Sequence, residues 1–112
     1  MKSLYYGKLV TDDIPRKIEK DGQIPVLRKL TPPEFDVALR AKVHEEAGEV
    51  KSAKTREELL KEAAQLTGWL ADLLYVYDIT PQQLAAEVRR FRKERGTTKH
   101  FFLQSIDIPD SK

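Results

Sequence analysis

Three threonines, each followed three residues later by glutamate or glutamine, mark the starts of three long helices in this chain. The pairs are Thr31 with Glu34, Thr55 with Glu58, and Thr80 with Gln83. In such a capping box the hydroxyl accepts from an early helical N–H, and the later side chain reaches back to the cap residue. The signals predict helices at 32–53, 56–77 and 81–95, the last ended by Gly96 as a C-terminal cap. The chain is therefore predicted to be mainly helical.

Shorter elements are predicted on either side of these helices. Asp12 or Asp13 is expected to cap a short helix that stops at Asp21-Gly22. The segments Ile24–Leu30 and Lys99–Ile106 have the apolar character of strands that pair with each other. The expected fold is an all-α bundle with a minor two-stranded β element. One domain is predicted, with an N-terminal motif and strand at 1–30, a helical core at 31–96 and a C-terminal strand and tail at 97–112.

A glutamate falls on the apolar face of the first long helix. At ~100° per residue, the stripe that includes Phe35, Leu39 and Val43 is centred near ~60° when Phe35 is set to zero. Glu46 lies near ~20°, inside the stripe, so it is expected to be shielded from solvent. Its neighbours Glu45 and Glu49 lie further round, along the edge of the same face.

The next helix carries a fourth glutamate close to its own apolar stripe. Glu62 lies about 70° to one side of the stripe centre, so antiparallel packing of the two helices brings it towards Glu46 and Glu49. Unit charges ~6 Å apart repel by about 3 kcal/mol at an effective dielectric of ~20. Such a cluster is expected to bind cations or to shift its pKa values, and a divalent cation holding a phosphorylated ligand is the favoured compensation. The alternative is that these are solvated glutamates on ordinary helices.

Length and composition limit the class of protein. A chain of 112 residues forms one core, and long helices in so small a protein often need a second subunit to cover them, so a homodimer is expected. The absence of cysteine excludes disulfides and fits a reducing cytoplasm. The start has no apolar signal region, and no apolar run reaches the ~20 residues needed to span a bilayer. The net charge of +2 selects neither nucleic acid nor membrane as a partner.

The chain resembles the MazG-like branch of the all-α nucleoside triphosphate pyrophosphatases, which includes phosphoribosyl-ATP pyrophosphatase and the dimeric dUTPases. Residues 8–15, KLVTDDIP, are similar to the KLVRDKIP opening of the small phosphoribosyl-ATP-pyrophosphatase-like members. The other matching positions are Glu45, Glu46 and Glu49 for the E-E-x-x-E motif, Glu62 and Gln65 for E-x-x-D, Lys93 to Gly96 for the K-x-R-G or E-R-G run, and Phe101 to Leu103 for a final apolar strand. The resemblance covers most of the chain.

The resemblance implies a reaction and assigns roles to residues. In such enzymes carboxylates from two helices hold Mg²⁺ (or Mn²⁺), and an activated water attacks the α-phosphorus to release a nucleoside monophosphate and pyrophosphate. The metal ligands implied here are Glu46, Glu49, Glu62 and Gln65. Glu45 and Glu46 are the implied catalytic carboxylates, with Glu45 as an additional ligand or a water-orienting base. The implied substrate contacts are Lys8, Asp12, Trp69, Lys93 and Arg95.

The chain departs from the family pattern at four positions that bear on catalysis. Gln65 keeps an oxygen donor but lacks the charge of the family aspartate, so Mg²⁺ affinity is expected to fall. Gly68 stands where relatives often carry another acid, and Thr11 and Asp13 replace an arginine and a lysine. These changes leave open a second hypothesis, a catalytically degenerate nucleotide-binding or interaction module of the same fold.

Two further assignments remain open on the sequence alone. Trp69 is typical of a core or interface aromatic, although it shares an edge with Glu62 and Gln65 where a nucleobase stacks in the alternative interpretation. The last helix carries several basic residues, which is a lesser alternative pointing to nucleic acid. These residues are Arg89, Arg90, Arg92, Lys93 and Arg95.

Overall fold

The computed structural model describes residues 1–111, and that part of the chain is helical. Its helices are α1 (Ile14–Lys20), α2 (Pro32–Ser52), α3 (Arg56–Val76) and α4 (Pro81–Arg95). The three long helices start at the predicted residues and end within one residue of the predicted positions. The all-α fold class is thereby confirmed.

Two of the predicted capping boxes form completely. At the start of α2 the Thr31 hydroxyl accepts from the Glu34 N–H at 3.4 Å, and the Glu34 carboxylate accepts from the Thr31 N–H at 2.9 Å. At the start of α4, Thr80 and Gln83 make the same two bonds at 3.1 and 2.8 Å. Each box satisfies two backbone groups that a helix start leaves without partners. The sequence signal therefore located both starts correctly.

The third box differs from the prediction by one residue. Thr55 accepts from the Glu58 N–H at 3.1 Å, but the Glu58 carboxylate accepts from the N–H of Lys54, not of Thr55.

The short helix α1 begins after Asp13, whose side chain makes no capping hydrogen bond. Gly96 ends α4 with φ +81°, in the left-handed region that favours glycine, and its N–H donates to the Arg92 carbonyl at 2.7 Å.

The two predicted strands do not form in residues 1–111. Ile24–Leu30 and Lys99–Ile106 are irregular, and neither segment has a backbone hydrogen-bond partner within the described chain. An isolated strand leaves its N–H and C=O groups unpaired, so apolar character alone does not produce one. The predicted β element therefore lacks the pairing that it requires.

Helices α2 and α3 pack against each other as an antiparallel hairpin. The direction follows from the contacts, because Tyr77, just beyond the end of α3, bonds to Asp36 and Arg40 near the start of α2. Leu39 of α2 is fully buried. This hairpin belongs to a compact unit, Met1–Ile79, while the described residues from Thr80 onwards belong to a second unit that contains α4. None of the helices in residues 1–111 combines the length and apolarity that a bilayer crossing requires.

Candidate functional site

Glu46 is a buried carboxylate without a complete set of partners. Glu46 is only 8% exposed, although its side chain is ionisable. It lies on α2, one helical turn beyond Lys42. The Oε2 atom is buried and has no hydrogen-bond partner within the described chain. Buried polar atoms almost always have a partner, so an unpaired carboxylate oxygen requires an explanation. The predicted position of Glu46 within the apolar face is confirmed.

The surroundings of Glu46 are mainly acidic. Burial raises the pKa of Glu46 above its ordinary value, and the negative charge of Glu62 on α3 raises it further. Glu45 and Glu49 act in the same direction, while the positive charge of Lys42 lowers the pKa. The α2–α3 hairpin thus brings Glu62 close enough for its charge to act on Glu46, as predicted for antiparallel packing of the two helices. We define Glu45, Glu46, Glu49 and Glu62 as the acidic cluster.

Glu45 lies between two ammonium groups. Its Oε2 is 3.5 Å from Nζ of Lys42, and its Oε1 is 3.6 Å from Nζ of Lys8. Lys42 and then Lys8 hold the pKa of Glu45 below its ordinary value. A carboxylate whose pKa is lowered stays ionised near neutral pH and is a weaker proton acceptor.

Lys42 is a residue that the sequence interpretation missed. Its side chain is 14% exposed, and Nζ lies 5.4 Å from the centroid of the Trp69 ring on α3. An ammonium at this distance is attracted by the face of the indole. Its spacing of three residues from Glu45 and four from Glu46 is the signal that points to it, because residues so spaced are neighbours on a helix surface.

The other residues implied by the resemblance occupy several places. On α3, Glu62 and Trp69 are half-buried, and Gln65 between them is exposed. Glu49 of α2 is exposed, and Asp12 lies exposed in the turn that precedes α1. The structure therefore brings Lys8, Lys42 and Trp69 together with the acidic cluster. Lys93 and Arg95 are exposed on α4 in the second unit, and their role as phosphate contacts stays a prediction.

The carboxylates do not form a preassembled metal cage. Within residues 1–111, no group of three or more His, Asp or Glu side chains is arranged to hold a metal ion. Mg²⁺ commonly binds proteins through one or two carboxylates and completes its shell with water and substrate phosphate oxygens. The orphaned Glu46 oxygen, with the charge of Glu62 nearby, fits that mode of binding.

Several basic residues of α4 contact other side chains of the same helix. Arg90 pairs with Glu87 at 3.7 Å and with Glu94 at 3.1 Å. The guanidinium carbons of Arg92 and Arg95 lie 5.1 and 5.9 Å from the centroid of the Phe91 ring. The nucleic-acid alternative stays a prediction, and the pairing of Arg90 reduces the free positive charge of this helix.

Comparisons with known proteins give a relative that matches part of the chain. A protein of Mycolicibacterium smegmatis, named only as an uncharacterized protein, is 43% identical over 55 residues, which are 49% of this chain and 56% of that protein. The chain thus spans little more than half of the length of this relative. No family model matches the chain. No solved structure matches it either.

Proposed function

We propose that the chain is a nucleotide pyrophosphohydrolase that depends on Mg²⁺ or Mn²⁺ and belongs to the MazG-like group that its motifs resemble. It would cleave a nucleoside triphosphate, or a related nucleotide, to the monophosphate and pyrophosphate. The observation that supports this most strongly is the buried, unpartnered Oε2 of Glu46 in an acidic environment to which α3 contributes Glu62. Such an arrangement is unfavourable unless a positive group meets it.

Each residue of the cluster has a distinct part in this proposal. Glu46 and Glu62 are the principal carboxylates, with Glu49 and Gln65 at the exposed edge as supporting oxygen donors. When bound, the metal neutralises phosphate charge and activates water. Glu46 is a metal ligand in this proposal, and Glu45, the neighbouring carboxylate on α2, orients the attacking water. Lys8 and Trp69 are suited to contact the phosphate and the base of the nucleotide.

Turnover of a nucleotide panel tests the proposal. Nucleoside triphosphates are incubated with the protein and Mg²⁺ or Mn²⁺, and pyrophosphate release is measured. We expect release from at least one substrate and a loss of about 100-fold or more in the Glu46→Gln variant, because the amide lacks the charge that Mg²⁺ prefers in its oxygen ligands. The matched control is Glu57→Gln, an exposed glutamate in the first turn of α3, which is expected to keep its activity. Absence of release from every substrate would contradict an enzymatic function.

A second candidate function is nucleotide binding at the acidic cluster without turnover. It is favoured by the neutral Gln65 and by the lack of a three-carboxylate metal group in residues 1–111. In this case a triphosphate with Mg²⁺ raises the melting temperature, but no pyrophosphate appears. Replacing Gln65 with aspartate is then expected to strengthen metal binding, because Mg²⁺ prefers anionic oxygen ligands.

We also propose that the chain acts as a homodimer in the cytoplasm. The support is the exposure of large apolar side chains, which a second copy would cover. In the first unit these are, among others, Tyr5, Ile24 and Val26, and in the second Phe101, Phe102 and Ile108. Ile24, Val26, Phe101 and Phe102 lie in the two segments that were predicted to be strands, so pairing across a dimer would supply the missing hydrogen-bond partners.

A further inference from the structure

The proposed function assigns no role to Lys42. Its ammonium is largely shielded from solvent, with 14% of the side chain exposed, although lysine is rarely buried without a partner. It is held by Glu45, 3.5 Å away, on its own helix and by the face of Trp69, 5.4 Å away, on α3. A long flexible side chain is thus fixed at the edge of the acidic cluster by contacts to both helices of the hairpin.

The positive charge of Lys42 partly offsets the negative charge of the acidic cluster. Glu46 lies one helical turn further along α2, and its Oε2 has no hydrogen-bond partner in the described chain. Lys8, which also pairs with Glu45, is exposed and comes from an irregular segment before α1. Lys42 is therefore the ammonium that the hairpin itself positions next to the buried carboxylate.

We propose that Lys42 is an internal counter-cation that stabilises the acidic cluster in the metal-free protein and opposes the binding of a divalent cation there. This inference rests on the proposed metal site. A fixed positive charge near the site repels an incoming divalent cation, and it also offsets the repulsion between the carboxylates when no metal is present. Lys42 thus sets the affinity of the site for metal and is a positioning residue, since it contacts Glu45 and not the reacting atoms.

Titration of Mn²⁺ alone, followed by calorimetry, tests the inference without any turnover. The variant Lys42→Met keeps the length of the side chain and its packing on Trp69 but removes the charge. We expect Lys42→Met to bind Mn²⁺ about five- to tenfold more tightly than the wild type, the range that one nearby charge produces. The metal-free variant is expected to melt at a lower temperature. Lys42→Arg, which retains the charge, is expected to bind Mn²⁺ with nearly the wild-type affinity.

A matched control comes from the same helix. Lys51 is exposed in the last turn of α2, so Lys51→Met is expected to change neither Mn²⁺ affinity nor the melting temperature appreciably. If the wild type binds Mn²⁺ and Lys42→Met binds it equally or more weakly, the inference is wrong while the metal site stands. If neither the wild type nor Lys42→Met binds Mn²⁺, the inference and the metal-dependent function both fail.

Discussion

Glu46 is the residue on which the functional interpretation depends. Its carboxylate is buried, one oxygen lacks a partner, and its pKa is raised first by burial and then by Glu62. A buried group left unsatisfied costs about 1–3 kcal/mol. Residues that lower stability in this way are typical of functional sites, where a ligand supplies the missing interaction.

Neutralising Glu46 is therefore expected to stabilise the metal-free protein. We expect Glu46→Gln to raise the free energy of unfolding by about 1 kcal/mol, measured by urea denaturation near neutral pH. The same change at Glu49, exposed and one turn further along α2, is expected to have less than half of that effect. A Glu46→Gln variant less stable than the wild type in the absence of metal would show that nearby positive charge outweighs the cost of burying the carboxylate.

The pH dependence of this difference has a definite sign. Because the folded pKa of Glu46 is raised above the ordinary value of 4.5, the folded state binds more protons than the unfolded state between the two pKa values. The contribution of Glu46 to stability therefore declines as pH rises through that window. The advantage of Glu46→Gln should grow from about pH 4.5 upwards and then level off. An advantage that shrinks over this range would contradict the raised pKa.

At the scale of elements, a polar network joins the start of α2 to the residue that follows the end of α3. The Tyr77 hydroxyl donates to Asp36, Arg40 donates to the Tyr77 hydroxyl at 3.1 Å, and Arg40 Nε donates to Asp36 at 2.5 Å. The bond from Tyr77 and then that from Arg40 lower the pKa of Asp36. The network links the start of α2 to the end of α3 in the same antiparallel arrangement in which the charge of Glu62 acts on Glu46.

Removing one hydroxyl tests this network. We expect Tyr77→Phe to lower the melting temperature by a few degrees, while Tyr75→Phe, at an 82% exposed position, leaves it unchanged. Because the folded pKa of Asp36 lies below 3.8, its contribution is complete above that pH and is lost as pH falls towards the folded pKa. The difference between wild type and Tyr77→Phe should therefore shrink in acid. Equal melting temperatures at neutral pH would argue against the network.

A glycine in the middle of α3 offers a separate prediction. A Cβ built on Gly68 meets no atom within 4 Å, and glycine inside a helix costs about 1 kcal/mol relative to alanine. Gly68→Ala is therefore expected to raise the free energy of unfolding by about 1 kcal/mol in chemical denaturation. A destabilised Gly68→Ala variant would show that another copy of the chain or a ligand packs closely against this position.

The helices were predictable from the sequence because their signals are local. Thr31 with Glu34 and Thr80 with Gln83 act within one turn, so no tertiary information is needed. The burial of Glu46 followed from helical periodicity for the same reason. The strands failed because a strand depends on a partner that local apolarity does not specify. The contact of Lys42 with α3 was missed because it depends on the register of the hairpin.

At the scale of the whole molecule, much apolar surface is exposed. Within residues 1–111, Leu39 is the one fully buried large apolar side chain, while Val26 and Phe101 are almost completely exposed. So small a core agrees with the proposed dimer, whose stability depends on protein concentration. We expect the melting temperature to rise with protein concentration and light scattering to give twice the chain mass. A monomer at all concentrations would contradict the dimer.

Paramagnetic line broadening by Mn²⁺ is the most direct test of the central claim, that the acidic cluster of α2 and α3 binds a divalent cation. Substoichiometric Mn²⁺ is added to ¹⁵N-labelled protein, with and without a non-hydrolysable triphosphate, and the loss of amide signals is mapped. We predict that signals around Glu46 and Glu62 disappear first, and at lower Mn²⁺ when the triphosphate is present. Broadening confined to other acidic positions such as Asp12 and Asp13, or spread evenly over the surface, would contradict the claim.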